Sequence, residues 1–177
     1  MPLSSIKLQS SVSIEEIKAR VRFDSETGKL HRVTASGGSK VGQETGSMSS
    51  SGYLGVGICG KAFLCHRIAW LLHYGEWPEF EVDHINGMKT DNRISNLRSA
   101  TRSENVNNTN LRSDSTSGYK GVNYSNQHGR YRARIVVKGK RMHVGMYDTP
   151  EQAHEALCAA RNAYHGKFCN NGSSTLK

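Results

Sequence analysis

The run RYRARIVVKGKRMHVGMY (130–147) leaves little freedom in how its part of the chain folds. Successive side chains of a strand point to opposite faces. Arg130, Arg132 and Arg134 therefore fall on one face, and Tyr131, Ala133, Ile135 and Val137 on the other. Lys138-Gly139 supplies a turn, after which Arg141 and His143 point one way and Met142 and Val144 the other. GYKGVNY (118–124) reads as a third antiparallel strand, joined through a turn at Asn126–Gly129. Thr149-Pro150 then starts a helix, with Pro at its first position and Gly166 past its end. The stripe Ala153, Ala156, Leu157, Ala160 and Tyr164 should cover the apolar face of the sheet.

The other sheet face becomes an array of cations, which Lys120 and Asn123 are expected to join. Neighbouring like charges repel, and no acidic residue stands in these strands to relieve them. Phosphates or guanine edges would, since arginine pairs bidentately with both. Charge over the whole chain agrees. Of the net +9, residues 1–110 hold 13 Lys/Arg against 11 Asp/Glu, and residues 111–177 hold 11 against 4. The basic C-terminal third points to nucleic acid. Without a broad amphipathic basic helix, a membrane surface is the weaker reading.

Residues 117–170 resemble the APETALA2-type DNA-binding domain in the YKGV start, the VGMYDTPEQAHEA turn into the helix and the AARNAYHG end. That resemblance implies a sheet inserted into the major groove of double-stranded DNA. The candidate DNA-binding residues, from the alternation of the strands, are Lys120, Asn123, Arg130, Arg132, Arg134, Arg141 and His143. The tryptophans of that family are replaced here, one of them by His143, which leaves base preference open.

Upstream, hydrophobic residues make up 36% of the chain, which suits two modest cores better than one large one. SIEEIKARVRF (13–23) reads as a helix with Ser13 and Glu16 as a capping box. A turn at Glu26-Thr27-Gly28 leads into a strand over 29–33. The Gly/Ser-rich stretch 35–52 reads as loops between short strands, with a flexible linker as the alternative. A hairpin turning at Gly60-Lys61 and a helix HRIAWLLHY stopped by Gly75 follow, then a strand after Pro78. Thr101 and Glu104 form a second capping box, opening a polar, Asn-rich helix. Residues 110–118 are the expected domain boundary. Cys59, Cys65, Cys158 and Cys169 form no Cys-x-x-Cys pair and read as reduced core thiols of a cytoplasmic protein. No signal-peptide or membrane-spanning run is evident.

VDHINGMKTDNRISNL (82–97) sets an acid directly before a histidine, ahead of a turn-rich run. With the segment from GYLGVGICG to SENVNN around it, this string resembles the HNH endonuclease motif, the ββα-metal fold. The Asn near its end resembles the histidine-asparagine-asparagine variants of phage homing endonucleases. The resemblance implies one Mg²⁺ (or Mn²⁺) ligated by Asp83 and Asn105, with His84 as general base toward water. Asn96 joins the catalytic set as the residue whose amide ties the loop to the backbone near His84. Asn107 and Asn108 stand close enough to Asn105 to compete for its role. His66 reads as a packing or capping residue, with a second active-site group as the alternative. Arg67, Lys89, Arg93, Arg98 and Arg102 could hold phosphates or be surface charges.

The expectation is an α+β protein. A nuclease module (1–110), a linker (111–116), a sheet-on-helix DNA-binding domain (117–170) and a tail (171–177) follow one another. Its expected function is hydrolysis of DNA phosphodiesters to 5′-phosphate and 3′-hydroxyl ends, directed by the second domain; the competing reading is a DNA-binding regulator on an inactive nuclease scaffold. The expected partner is double-stranded DNA, without a membrane or a small-molecule cofactor, and the protein is a monomer or homodimer, in the host cytoplasm if phage-encoded.

Overall fold

A computed structural model describes residues 12–35, 37–108, 111 and 115–171. It is a mixed α/β chain of small antiparallel sheets and short helices, divided into two compact units, Met1–Ser99 and Ala100–Lys177. The division falls upstream of the expected linker.

In the first unit, α1 (Ile14–Arg20) has the Ser13–Glu16 capping box in both directions. The helix stops earlier than the sequence suggested, because Val21 turns extended and opens β1 (Val21–Asp24). β1 pairs with β2 (Lys29–Arg32) around the Asp24–Gly28 turn, and β3 (Glu44–Thr45) extends that sheet. The Gly/Ser-rich stretch contributes β3 and β4 (Ser47–Met48). β4, β5 (Leu54–Ile58) and β6 (Lys61–Leu64) form the second sheet. The β5–β6 turn is Cys59-Gly60, both at positive φ, one residue before the expected Gly60-Lys61. α2 (Cys65–Tyr74) ends at Gly75 in the left-handed conformation. Its Ile68 and Leu71 are fully buried with Ile17, Val21 and Ile58 in the unit's main core.

β7 (Glu81–His84) pairs with β8 (Leu97–Ala100), a strand too short to show a pattern of its own in the sequence, after a single 3₁₀ turn at Ile94–Asn96. Val82 and Leu97 pack on Ala69 of α2. That packing fixes the register of the hairpin and hence the direction of the residues after Val82.

The second unit opens with α3 (Arg102–Asn107), whose Thr101–Glu104 capping box forms as expected. Its C-terminal end is tied within the same unit. Lys120 Nζ donates to the Asn107 carbonyl at 2.8 Å, and Asn170 Nδ2 to that of Asn108 at 2.7 Å. β9 (Val122–Ser125), β10 (Arg130–Val137) and β11 (Lys140–Tyr147) form an antiparallel sheet in the order β11-β10-β9. α4 (Pro150–His165) packs on it through Ala153 and Leu157, against Val122, Ala133 and Ile135. Tyr164, expected on the apolar stripe, is 55% exposed, whereas Arg161 is 4% exposed. The buried guanidinium is satisfied by main-chain carbonyls, those of Lys120 and Asn171.

Candidate active site

His84 ends β7 and Asp83 precedes it; both are buried. Neighbouring residues of a regular strand face opposite ways, and the two side chains here find separate partners. Asp83 turns to β8, where Arg98 donates to its Oδ2 from Nε at 2.8 Å and from a terminal nitrogen at 2.7 Å. His84 turns to the loop, its Nε2 2.9 Å from Asn92 Oδ1. An amide oxygen only accepts, so Nε2 carries the hydrogen and Nδ1 is the basic nitrogen of the neutral ring. Burial lowers the His84 pKa, although the Asn92 bond and the charges of Asp83 and Asp91 pull it back upward. The ring is thus kept neutral near pH 7, the state a general base requires.

The loop between β7 and β8 is tied tightly for its length. Asn96 Oδ1 accepts from the Asn86 N–H at 3.0 Å, and Asn96 Nδ2 donates to Asn86 Oδ1 at 3.0 Å and to the Asp91 carbonyl at 2.8 Å. The Asn96 carbonyl accepts from the Ile85 N–H at 2.9 Å, beside His84. Arg93 grips Asp91 through two nitrogens at 2.8 and 2.6 Å, and this holds the Asp91 carboxyl down at about 2. Gly28, on the turn before β2, lies so close that a Cβ there would sit 2.4 Å from the Arg93 nitrogen. Only a glycine lets that turn support the loop, and its φ of +75° is one glycine adopts freely.

Two more rings close around His84. His66 lies 5.1 Å away between centroids at 78°, and Tyr53 5.9 Å away at 39°. Lys89 bends back over Tyr53, 4.7 Å from its centroid, and donates to the Ser51 carbonyl at 2.9 Å. Among the flanking cations, Lys89, Arg93 and Arg98 therefore all have partners inside the unit.

Of the expected site residues, Asp83, His84 and Asn96 come together here. Asn105 lies on α3 in the second unit, its N–H bonded to the Thr101 carbonyl at 2.9 Å. Asn107, its neighbour, has its amide 3.1 Å from His165 Nδ1. Asn92 was missed by sequence reading. The stretch holds several asparagines, and only the folded loop distinguishes the one that reaches His84.

Among the described residues, no three His, Cys, Asp or Glu side chains converge as a metal cage. One carboxylate next to an imidazole that is kept as a base is a poor zinc site. It does fit a hard divalent ion that keeps most of its coordination for water and phosphate.

On the second unit's sheet, pairing sets Arg134 opposite His143, Val136 opposite Arg141 and Arg132 opposite Asn123. Arg130, Arg132, Arg134, Arg141, His143 and Asn123 thus share one face. A bulge after Ala133 keeps that register despite Val144. Arg130 is paired with Asp148 at 2.8 Å, just past the strand. Arg132 Nε is buried without a hydrogen-bond partner. Lys120 does not join this face. Its ammonium donates to the Asn107 and Asn170 carbonyls, and burial beside Arg161 pushes its pKa down to about 8.

Residues 63–107 match the HNH endonuclease family. HNH nucleases as a group depend on a divalent metal and act on DNA. Over 109 residues, 61% of this chain, the sequence is 29% identical to Protein 3.8 of Escherichia phage T7 and covers 89% of that protein. No solved structure matches. The matched family segment ends on α3, before the three-stranded sheet begins.

Proposed function

We propose that the chain is a divalent-metal-dependent DNA endonuclease, guided to its site by the basic sheet of its second unit. The observation that carries this reading is His84 inside the family-matched segment: buried, fixed through Nε2 by Asn92 and next to Asp83. Asp83 would hold the cation. A bound Mg²⁺ or Mn²⁺ would neutralise the scissile phosphate and stabilise the leaving 3′ oxygen. His84 takes a proton from the attacking water at Nδ1, while Asn92 keeps the opposite nitrogen protonated. Asn96 holds the loop that follows His84 and carries Asn92. The products expected are 5′-phosphate and 3′-hydroxyl ends.

The second unit would read DNA as an APETALA2-type domain. A row of cations on β10 and β11, only one of which has a carboxylate partner among the described contacts, supports a polyanion against that face. Tethering the two units raises the local concentration of the nuclease at the bound site.

One observation favours a second reading, a DNA-binding regulator on an inactive scaffold. Arg98 already engages Asp83 Oδ2, and an incoming cation must share or displace it. Cleavage of DNA, including the sequence flanking the protein's own coding region, separates the two. Mg²⁺- or Mn²⁺-dependent nicking or linearisation, abolished by chelator and by His84→Ala, establishes the nuclease. Intact DNA with binding retained establishes the regulator.

A further inference from the structure

His66 stands in the first turn of α2 with 5% of its surface exposed. Its Nδ1 is buried and has no hydrogen-bond partner. Such an orphan carries a desolvation cost that an apolar ring at the same place would not. Nor does the residue serve as a charge. Burial first, then His84 and Arg67, push its pKa down to about 3, and the ring is neutral at any physiological pH. A buried N–H without a partner is rarer than a buried bare acceptor, which places the hydrogen on Nε2.

Its surroundings give this costly neutral ring a use. His66 meets His84 nearly perpendicularly, with 5.1 Å between centroids, and Tyr53 at 5.1 Å and 51°. Tyr53 also touches the His84 ring. Asn92 fixes one nitrogen of His84. Two rings at different tilts, His66 and Tyr53, bear on the plane of its imidazole. Perpendicular contact sets an edge against a face, the arrangement the ring quadrupole favours.

We propose that His66 is a positioning residue for His84, fixing the plane of that imidazole so that Nδ1 is presented in one orientation. The inference rests on His84 being the general base. No proton passes to His66; it acts only through the ring it abuts. A phenylalanine would fill the site without the orphaned nitrogen, but it lacks the polar edge that His66 sets against His84.

The test compares wild type, His66→Phe and His66→Ala in three measurements: thermal unfolding, single-site DNA cleavage with Mg²⁺, and nitrogen-15 spectra of the imidazoles. Expected for His66→Phe is a Tm equal to or above wild type, a kcat lowered about tenfold and a KM within about twofold, the signature of lost orientation. In His66→Ala the His84 nitrogens should lose the single Nε2–H pattern of the wild type. A His66→Phe enzyme with wild-type kcat overturns the proposal, as does a kcat that falls only in step with the folded fraction. Should the wild type cut no DNA, the nuclease reading fails separately. The imidazole spectra then decide: an unchanged His84 pattern in both variants overturns the positioning role, and a changed one supports it.

Discussion

His84 Nε2 lies 2.9 Å from Asn92 Oδ1, and this one contact decides which nitrogen of His84 is basic. Asn92 is 2% exposed and cannot be replaced in that role by solvent. Asn92→Ala should leave the fold intact and lower kcat by about tenfold or more, since each tenfold corresponds to about 1.4 kcal/mol, the scale of one hydrogen bond. Asn92→Asp, which keeps the acceptor oxygen, should retain more activity than Asn92→Ala. Equal activity of all three proteins would remove Asn92 from the mechanism.

His66 makes stability depend on acid. In the unfolded chain it binds a proton near pH 6.5, in the folded chain only near pH 3. The unfolded state therefore holds more protons between these values, and folding stability falls as pH drops from about 6.5 toward 3. The full effect is on the order of a few kcal/mol. Denaturant titrations across this range should show a shallower acid loss for His66→Phe than for wild type. Parallel curves would mean that another group dominates.

Much of this architecture is legible in the residues because local chemistry decides it. The two capping boxes form where Ser13–Glu16 and Thr101–Glu104 predict, and Gly75 ends α2. The β10–β11 alternation is strong enough to set its faces without tertiary help. What stays hidden depends on contacts distant in sequence. Val21 leaves the helix because its strand pairs with Arg32. β8 exists because Leu97 packs beside Val82 on Ala69. Lys120 has the right residue type for the cationic face, but it precedes β9 and turns instead to the carbonyls of Asn107 and Asn170. The Asp-His pair is plain in the sequence; its partners, Arg98 and Asn92, are chosen by the hairpin and its loop.

The Asp83–Arg98 pair predicts a metal response. The two side chains are 6% and 15% exposed, so removing the arginine takes a charged partner from a buried carboxylate. Arg98→Met should destabilise the protein by about 3 kcal/mol, the cost of breaking a buried pair from one side. Mg²⁺ should then raise the Tm of Arg98→Met more than that of wild type, because a cation replaces the lost guanidinium charge. An identical Mg²⁺ shift in both proteins would place the cation away from Asp83.

Gly121 should be intolerant of any side chain. Its φ is +76°, and a Cβ would lie 2.8 Å from the Arg134 carbonyl and 3.1 Å from a guanidinium nitrogen of Arg161. Because the Arg134 N–H donates to the Gly121 carbonyl, the backbone there cannot drift away without breaking the β9–β10 edge. Gly121→Ala should cost about 2 kcal/mol or more, combining a left-handed backbone with a collision. Thermal unfolding monitored from the second unit reads this directly, and a change under about 0.5 kcal/mol, the range of neutral surface substitutions, would show that the turn can relax.

The cationic face makes a prediction that separates its members. Each phosphate contact contributes roughly one to the slope of log affinity against log salt. Arg132 and Arg134 lie side by side on β10 with His143 and Asn123 opposite, and each replaced by Gln should lower the slope by roughly one. Arg130 is held by Asp148 at 2.8 Å, so its charge is partly compensated before DNA arrives. Arg130→Gln should therefore change the slope less than either neighbour does. Binding is measured with His84→Ala, which separates affinity from cleavage. Three equal slopes, all matching wild type, would mean that DNA does not approach the sheet from this face.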